Sequence, residues 1–352
     1  MFTRDQIQAD VLIIGAGPAG LATAIHLADV IAKYNQGIEH GRTAGPKLAV
    51  SILVIEKGSS VGSHSLSGAT MDLRGLKALL PDIPLADIPL EGPVQKDEIY
   101  FLFPRHALRL PFVPPFMGNR GKYFISLGKL TRWLAEIAEG KGVQIFSGIS
   151  GQELIFEEGK VVGVRTGDSG IDEHGVKQPN YQPGAEIRAK LVIFAEGARG
   201  HLTKIFIEKF RLDKESNPQV YSSGVKELWE VPEGAFEPGR AVLAMGWPLT
   251  FSQFGGGFIY GMNKTQICVG LAVGLDYDDP TLDVHHAFQI FKQHPLVAGI
   301  LKNGRMVRYG AKAIPEGGIF SLPRLYADQA MIVGDSAGFV AMPALKGIHL
   351  GI

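Results

Sequence analysis

The chain has 352 residues, 45% of them hydrophobic and 20% charged, which is enough to bury two cores or one core with a large insertion. Its 35 basic residues balance its 35 acidic ones, so no overall field draws in nucleic acid, and that class of partner is set aside. The single cysteine, Cys268, excludes an internal disulfide, a cysteine-based zinc site and an iron–sulfur cluster held by this chain alone.

The opening residues MFTRDQIQADVLIIG lack an apolar signal region and are too short and too acidic for a transit peptide. No stretch reaches the ~20 apolar residues that a spanning helix needs. Together these predict a protein of the cytoplasmic face, either free or in peripheral contact with a membrane.

A buried strand is expected over Val11–Ile14, followed by Gly15, Gly17 and Gly20 and then a helix with Leu21, Ala24, Ile25, Ala28 and Ile31 on one face. Between a strand and a helix, GxGxxG is the dinucleotide fingerprint. Gly15 permits the turn, Gly17 the approach of a diphosphate, and Gly20 close packing of helix on strand. Ala16, Pro18 and Ala19 complete the loop, and the diphosphate sits on the free N–H groups of the helix start. The second strand, in KLAVSILVIEK, ends at Glu56 and Lys57. Glu56 is the acid expected to hold the ribose hydroxyls, at a longer spacing than usual because of the polar loop NQGIEHGRTAGPK.

Three later segments point to FAD rather than NAD. GSHSLSGA, residues 62–69, is too rich in small residues for a plain helix and brings Ser67, Gly68 and Ala69 toward the site. KLVIFAEGARG runs from a strand into Ala195, Glu196, Gly197 and Gly200. QAMIVGDSAG runs from a strand into Gly334 and Asp335, with Gly338 and Gly347 further on. Asp335 is expected to accept hydrogen bonds from ribityl hydroxyls, and a helix opening after it to favour an anionic flavin. Between these arms, GKLTRWLAEIAEGKG reads as a helix, VQIFSG as a strand, and QELIFEEGKVVGVRTGD as a hairpin turning at Glu158–Gly159. A polar loop, 167–185, follows. Arg199 and His201 read as packing or solvent-facing, and adjacent His285 and His286 point in different directions.

The expected fold class is therefore α/β with a mixed α+β character. An FAD-binding domain over 1–90, 126–214 and 306–352 is interleaved with an antiparallel-sheet domain over 91–125 and 215–305. The latter carries FGGGFIYGMN, where Phe254, Phe258 and Tyr260 are candidate walls of a flat slot. FLFPRHALRLPFVPPFMGNRGKYF interleaves aromatics with Arg105, Arg109, Arg120 and Lys122, a pattern suited to a membrane interface.

The three arms resemble the two-dinucleotide-fold flavoproteins that include aromatic hydroxylases and geranylgeranyl reductases. GSHSLSGA, KELWEV, GWPL, FGGGFIYGMN, VGLDYDDP, QHP, YGAKAIPEGG and GFVAMPALKGIH, in order, resemble the electron-transfer flavoprotein–ubiquinone oxidoreductase family from about Ala9 to His349. The resemblance implies FAD as cofactor, electron-transfer flavoprotein and ubiquinone as partners, and a quinone site at the positions of Gly255 and Gly256. It also implies a [4Fe–4S] domain of four cysteines, for which this chain has no ligands. On that ground the 352-residue chain is expected to be a truncated form that retains FAD poorly and reduces little quinone. A prenyl or geranylgeranyl reductase-like flavoprotein, an aromatic hydroxylase and a non-functional fragment stand as alternatives.

Overall fold

A computed structural model describes residues 4–352, so residues 1–3 of the expected first domain lie outside the described residues. The apolar runs VLII, ILVI and LVIF form neighbouring parallel strands at the centre of one sheet. Its order is Tyr326–Ala327, Ala330–Ile332, Glu186–Phe194, Gln6–Ile14, Ile52–Glu56 and Gln144–Ser147. These strands read as continuous hydrophobic runs because both faces are covered. Helices Pro18–Glu39 and Leu127–Gly140 pack on one face through Leu21, Ile25, Leu130 and Leu134. Helix His201–Phe210 and the hairpin of Gly151–Glu157 with Lys160–Thr166 pack on the other, through Phe206, Leu202 and Val164. The hairpin turns at Glu158–Gly159 as expected.

The second sheet has the order Arg305–Pro315, Tyr221–Glu230, Gln266–Gly274, Gly255–Gly261, Arg240–Gly246, Lys96–Leu102 and Ala107–Arg109. All its pairs are antiparallel except Arg240–Gly246 with Lys96–Leu102. Its alternating strands send Val225, Val269, Leu271, Val273 and Ile259 to one face, where Phe288 and Phe291 of helix Val284–Gln293 cover them. The opposite face, with Tyr260 and Cys268, turns toward the first sheet and packs on Phe124. Cys268 is fully buried, as its apolar context predicts. A small sheet of Ala69–Met71, Tyr123–Ile125 and Leu90–Pro93 joins the two halves, so the chain is interleaved.

Three local expectations differ from the structure. Arg305–Pro315 belongs to the second sheet, where it pairs along Tyr221–Glu230, and not to the FAD-binding part from 306 onward. Inside 167–185, Ser169–Ile171 and Lys177–Gln182 form a hairpin, its turn held by Asp172, which accepts from the amides of His174 and Val176. No helix opens directly after Asp335: a single 3₁₀ turn, Gly334–Ser336, leads into extended chain. Ala341 and Lys346 then bond to each other through both backbones, and an α-turn starts only at Ile348. Gly338 and Leu345, both at positive φ, break the helical path between them. Among the described residues, no helix is long and apolar enough to cross a membrane.

Candidate dinucleotide cleft

The first strand ends at Ile14, and the chain turns at Gly15, whose φ of +109° disfavours a side chain. A Cβ on Gly15 would lie 2.3 Å from the Ala195 carbonyl oxygen, and one on Gly20 would lie 2.1 Å from the Gly15 carbonyl oxygen. At Gly17 a Cβ would meet nothing within 4 Å, because that position faces open space. Gly17 caps the helix with extended backbone and no side-chain cap, and Pro18 follows, leaving first-turn N–H groups free to meet an anion. Glu56 closes this corner: Oε2 accepts from the Ala16 amide at 3.0 Å and Oε1 from the Gly58 amide at 2.7 Å.

The second and third arms meet the first. The Ala195 amide donates to the Ile14 carbonyl and the Val333 amide to that of Phe194. Ser336 Oγ accepts from the Gly197 amide at 2.9 Å, tying the two later arms together. Asp335 is exposed to the open cleft, where the mass of protein around it disfavours its charged form and raises its pKa to about 6 while Lys312 pulls it back down.

The three arms enclose a cleft of about 580 Å³. Gly15, Ala16, Gly17, Pro18, Glu56, Lys57, Ala195, Glu196, Gly197, Gly200 and Asp335 line it. These residues fit a dinucleotide: an uncapped helix start for a diphosphate, a carboxylate at the second strand end for ribose hydroxyls, and a cradle that a Cβ at Gly17 would enter. The far wall is the second sheet, through Gly224, Lys226, Phe258, Ala272 and Lys312.

Other expected residues stand behind the wall. Ala19 and Gly20 pack in the helix start, and a Cβ on Gly334 would meet that of Ala19 at 2.5 Å. Ser67 pairs with Ser126 at 2.8 Å, Gly68 offers its carbonyl to Lys226, and Ala69 begins a strand. Their place on the wall is taken by Gly62, His64, Ser65 and Leu66. Gly338 packs against Gln219, and a Cβ on Gly347 would sit 3.4 Å from Asp335 Oδ1. The Glu196 carboxylate serves the following helix, accepting from the Thr203 amide and hydroxyl at 2.7 Å each. Gly255 and Gly256 do not line the cleft, but Gly256 lies in register with Ala272, and Ala272 with Gly224, both on its wall. Phe258 lines the cleft and stacks on Tyr260 behind it at 4.9 Å, while Phe254 lies outside. Lys226 and Lys312 were missed. The available signal was a lysine at an inward position of an alternating strand.

The Asp335 pKa has a consequence for stability. A carboxyl whose folded pKa lies above its ordinary value of about 4 binds more protons folded than unfolded. Its contribution to stability is therefore largest at low pH and falls as pH rises from about 4 to about 6. Asp335→Asn is expected to remove that fall. Urea midpoints of the parent and variant across pH 4–7 check it, and parallel curves would refute it.

The fold and cleft are of the two-dinucleotide-fold type. A geranylgeranyl bacteriochlorophyll reductase-like protein from Thermoplasma acidophilum superposes with a TM-score of 0.70 at 18% identity, over 98% of this chain and 75% of that one. Residues 221–314, the heart of the second sheet, match the family described as ETF-QO, ubiquinone-binding. Electron transfer flavoprotein–ubiquinone oxidoreductase of Pseudomonas aeruginosa is 43% identical over 351 residues, covering 98% of this chain and 62% of that protein. The mitochondrial protein of that name from Dictyostelium discoideum is 43% identical over 347 residues, covering 98% and 55%. The chain is thus similar over 98% of its length to electron transfer flavoprotein–ubiquinone oxidoreductases, and it spans 55–62% of the length of these two relatives.

Proposed function

We propose that the chain is the FAD- and quinone-binding portion of an oxidoreductase that passes electrons from reduced electron-transfer flavoprotein to ubiquinone at a membrane surface. The observation that carries this reading is the convergence of three strand-to-loop arms on one cleft whose far wall lies in the segment matching the ubiquinone-binding family. FAD, when bound, supplies the capacity to take up and pass on electrons singly or in pairs. The chain's own residues do the rest. The start of helix Pro18–Glu39 holds the diphosphate, Glu56 the ribose hydroxyls, and Asp335 accepts from the ribityl chain. The row of small residues Gly224, Ala272 and Gly256 leaves a flat path across the second sheet beside Phe258, and a quinone head fits such a slot.

Contact with a membrane is supported by the aromatic edge beyond that row. Phe112 is 69% exposed and Phe251 97%. Phe251 stacks on Phe101 at 5.8 Å, so the loop after Arg240–Gly246 and the end of Lys96–Leu102 present one apolar patch, and Phe112 is a second exposed aromatic on the segment after Ala107–Arg109. Of the expected snorkelling cations, Arg105 and Arg120 are exposed, Arg109 reaches Glu98 at 3.2 Å, and Lys122 donates to the Gly118 carbonyl.

The deciding experiment adds FAD to the purified chain and follows ubiquinone reduction by reduced electron-transfer flavoprotein in the presence of vesicles. Expected are resolved flavin bands while FAD is in excess, retained only weakly once the excess is removed, and partition onto the vesicles. Phe112→Ser with Phe251→Ser should weaken partition at least about tenfold per residue, given ~2 kcal/mol for burying a phenyl side chain. A chain that takes up no FAD sinks the reading, and unaltered vesicle binding in the double variant removes the membrane surface from it.

A further inference from the structure

One cation on the cleft wall has no part in the scheme above. Lys226 stands mid-strand in Tyr221–Glu230, in register with Gly270 on one side and Gly310 on the other. A Cβ on Gly270 would lie 2.3 Å from the Phe258 ring and 2.8 Å from Lys226 Cβ, so the missing side chain is what lets ring and lysine stem lie side by side. From there the ammonium reaches toward the first sheet and donates to the Gly68 carbonyl at 3.0 Å.

Its surroundings differ from those of Lys312, the other lysine of this sheet on the cleft wall, whose charge acts on Asp335, and from those of Lys292 in helix Val284–Gln293. Lys292, against the opposite face, is held by both oxygens of Glu227 at 2.8 Å. Among the described residues no carboxylate forms an ion pair with Lys226, and its neighbour Cys268, pushed up to about 11 by burial, stays a neutral thiol. Burial pulls the lysine's own pKa down, and the Gly68 carbonyl holds a proton on Nζ. An ammonium taken out of water with one neutral acceptor is costly, and an electron-rich ligand in the cleft would offset that cost. The glycine loop and Glu56 form the end of the cleft suited to diphosphate and ribose. The sheet wall, with the Phe258 ring and the small Gly224 and Ala272, suits a flat ring.

We propose that Lys226, on the wall beside Phe258, supplies positive charge behind the ring end of bound FAD and stabilises the ring in its reduced, anionic state. The inference rests on the reading that the cleft binds FAD. In a site of low effective dielectric, one unit charge at contact range shifts such an equilibrium by about tenfold or more. No atom is transferred: Lys226 keeps its protons, and the electrons come from whatever reduces the flavin.

The test is a reductive titration of the FAD-loaded chain against a redox dye at pH 7, with flavin absorbance as a separate readout of occupancy. Lys226→Gln removes the charge but keeps a polar donor on a slightly shorter side chain, while Lys226→Met removes charge and donor together. Both are expected to retain the flavin bands and to shift the dye equilibrium about tenfold toward the oxidised protein, ~30 mV for a two-electron couple. Lys226→Arg is expected to match the parent. Should Lys226→Met fail to fold, the glutamine variant decides. FAD-loaded Lys226→Gln with the parent's potential overturns the proposal and leaves the cofactor reading intact. A parent chain that takes up no FAD overturns both.

Discussion

Gly20→Ala is expected to lower the unfolding free energy by about 3 kcal/mol and to abolish retention of FAD. The added Cβ would meet the Gly15 carbonyl oxygen at 2.1 Å and Ala195 Cβ at 3.1 Å. The first obstacle is backbone, which cannot swing aside as a side chain can, so relief requires the helix to move off the strand. That movement opens the turn at Gly15 and separates the first arm from Ala195, the point where two of the three arms touch. Gly17→Ala supplies the contrast. Its Cβ meets nothing within 4 Å, so the cofactor-free chain should lose at most about 1 kcal/mol, the cost of alanine at a helix N-cap, while FAD binding weakens. Urea unfolding without FAD, beside flavin fluorescence on titration, separates the two effects. Equal midpoints for the Gly20 variant and the parent would show that helix and strand are not locked as described.

Glu98→Ala is expected to cost about 3–5 kcal/mol, the range for removing one partner of a buried ion pair. Glu98 lies in Lys96–Leu102 with its side chain 2% exposed, and Arg240 donates to it through Nε at 2.6 Å, with Nη2 in ion-pair contact at 2.6 Å. Arg240 also donates to the Tyr100 hydroxyl at 3.2 Å and lies over the Phe236 ring at 5.0 Å, so it cannot follow a lost partner into water without giving up that packing. The pair clamps the one parallel junction of the second sheet, from which the exposed aromatic loop leaves. Arg240→Met in the Glu98→Ala background should recover part of the loss, since the remaining unpaired charge is then gone. Denaturation midpoints of the two single variants and the double variant form the cycle. A double variant less stable than Glu98→Ala would show that packing by Arg240, rather than its charge, carries the effect.

Much of the first sheet and one end of the site could be read from the chain itself. The VLII, ILVI and LVIF runs, the glycine spacing after Ile14 and the acid ending the second strand are local signals, because a buried strand and a tight turn constrain the residues that make them. Ala16, Gly17 and Glu56 accordingly stand together in the structure. The second sheet was harder. Arg305–Pro315 reads as part of the returning dinucleotide unit, yet it pairs over its whole length with Tyr221–Glu230, and pairing between distant segments leaves no mark in the local pattern.

What the sequence alone determined is the set of arms: their order, their strand-to-loop character, and the glycines whose conformation or closeness admits no side chain. Only the tertiary structure decided what each arm presents to the cleft. Glu196 and Asp335 are both acids after a buried strand, but the first turns away to cap a helix through Thr203 and the second opens into the cleft. Lys226 reads as one charged residue in an apolar strand until the fold sets it between two glycines and across from Gly68, 158 positions away. Backbone turns are chosen by the residues within them, whereas the direction and charge environment of a side chain are set by whatever the rest of the chain packs around it.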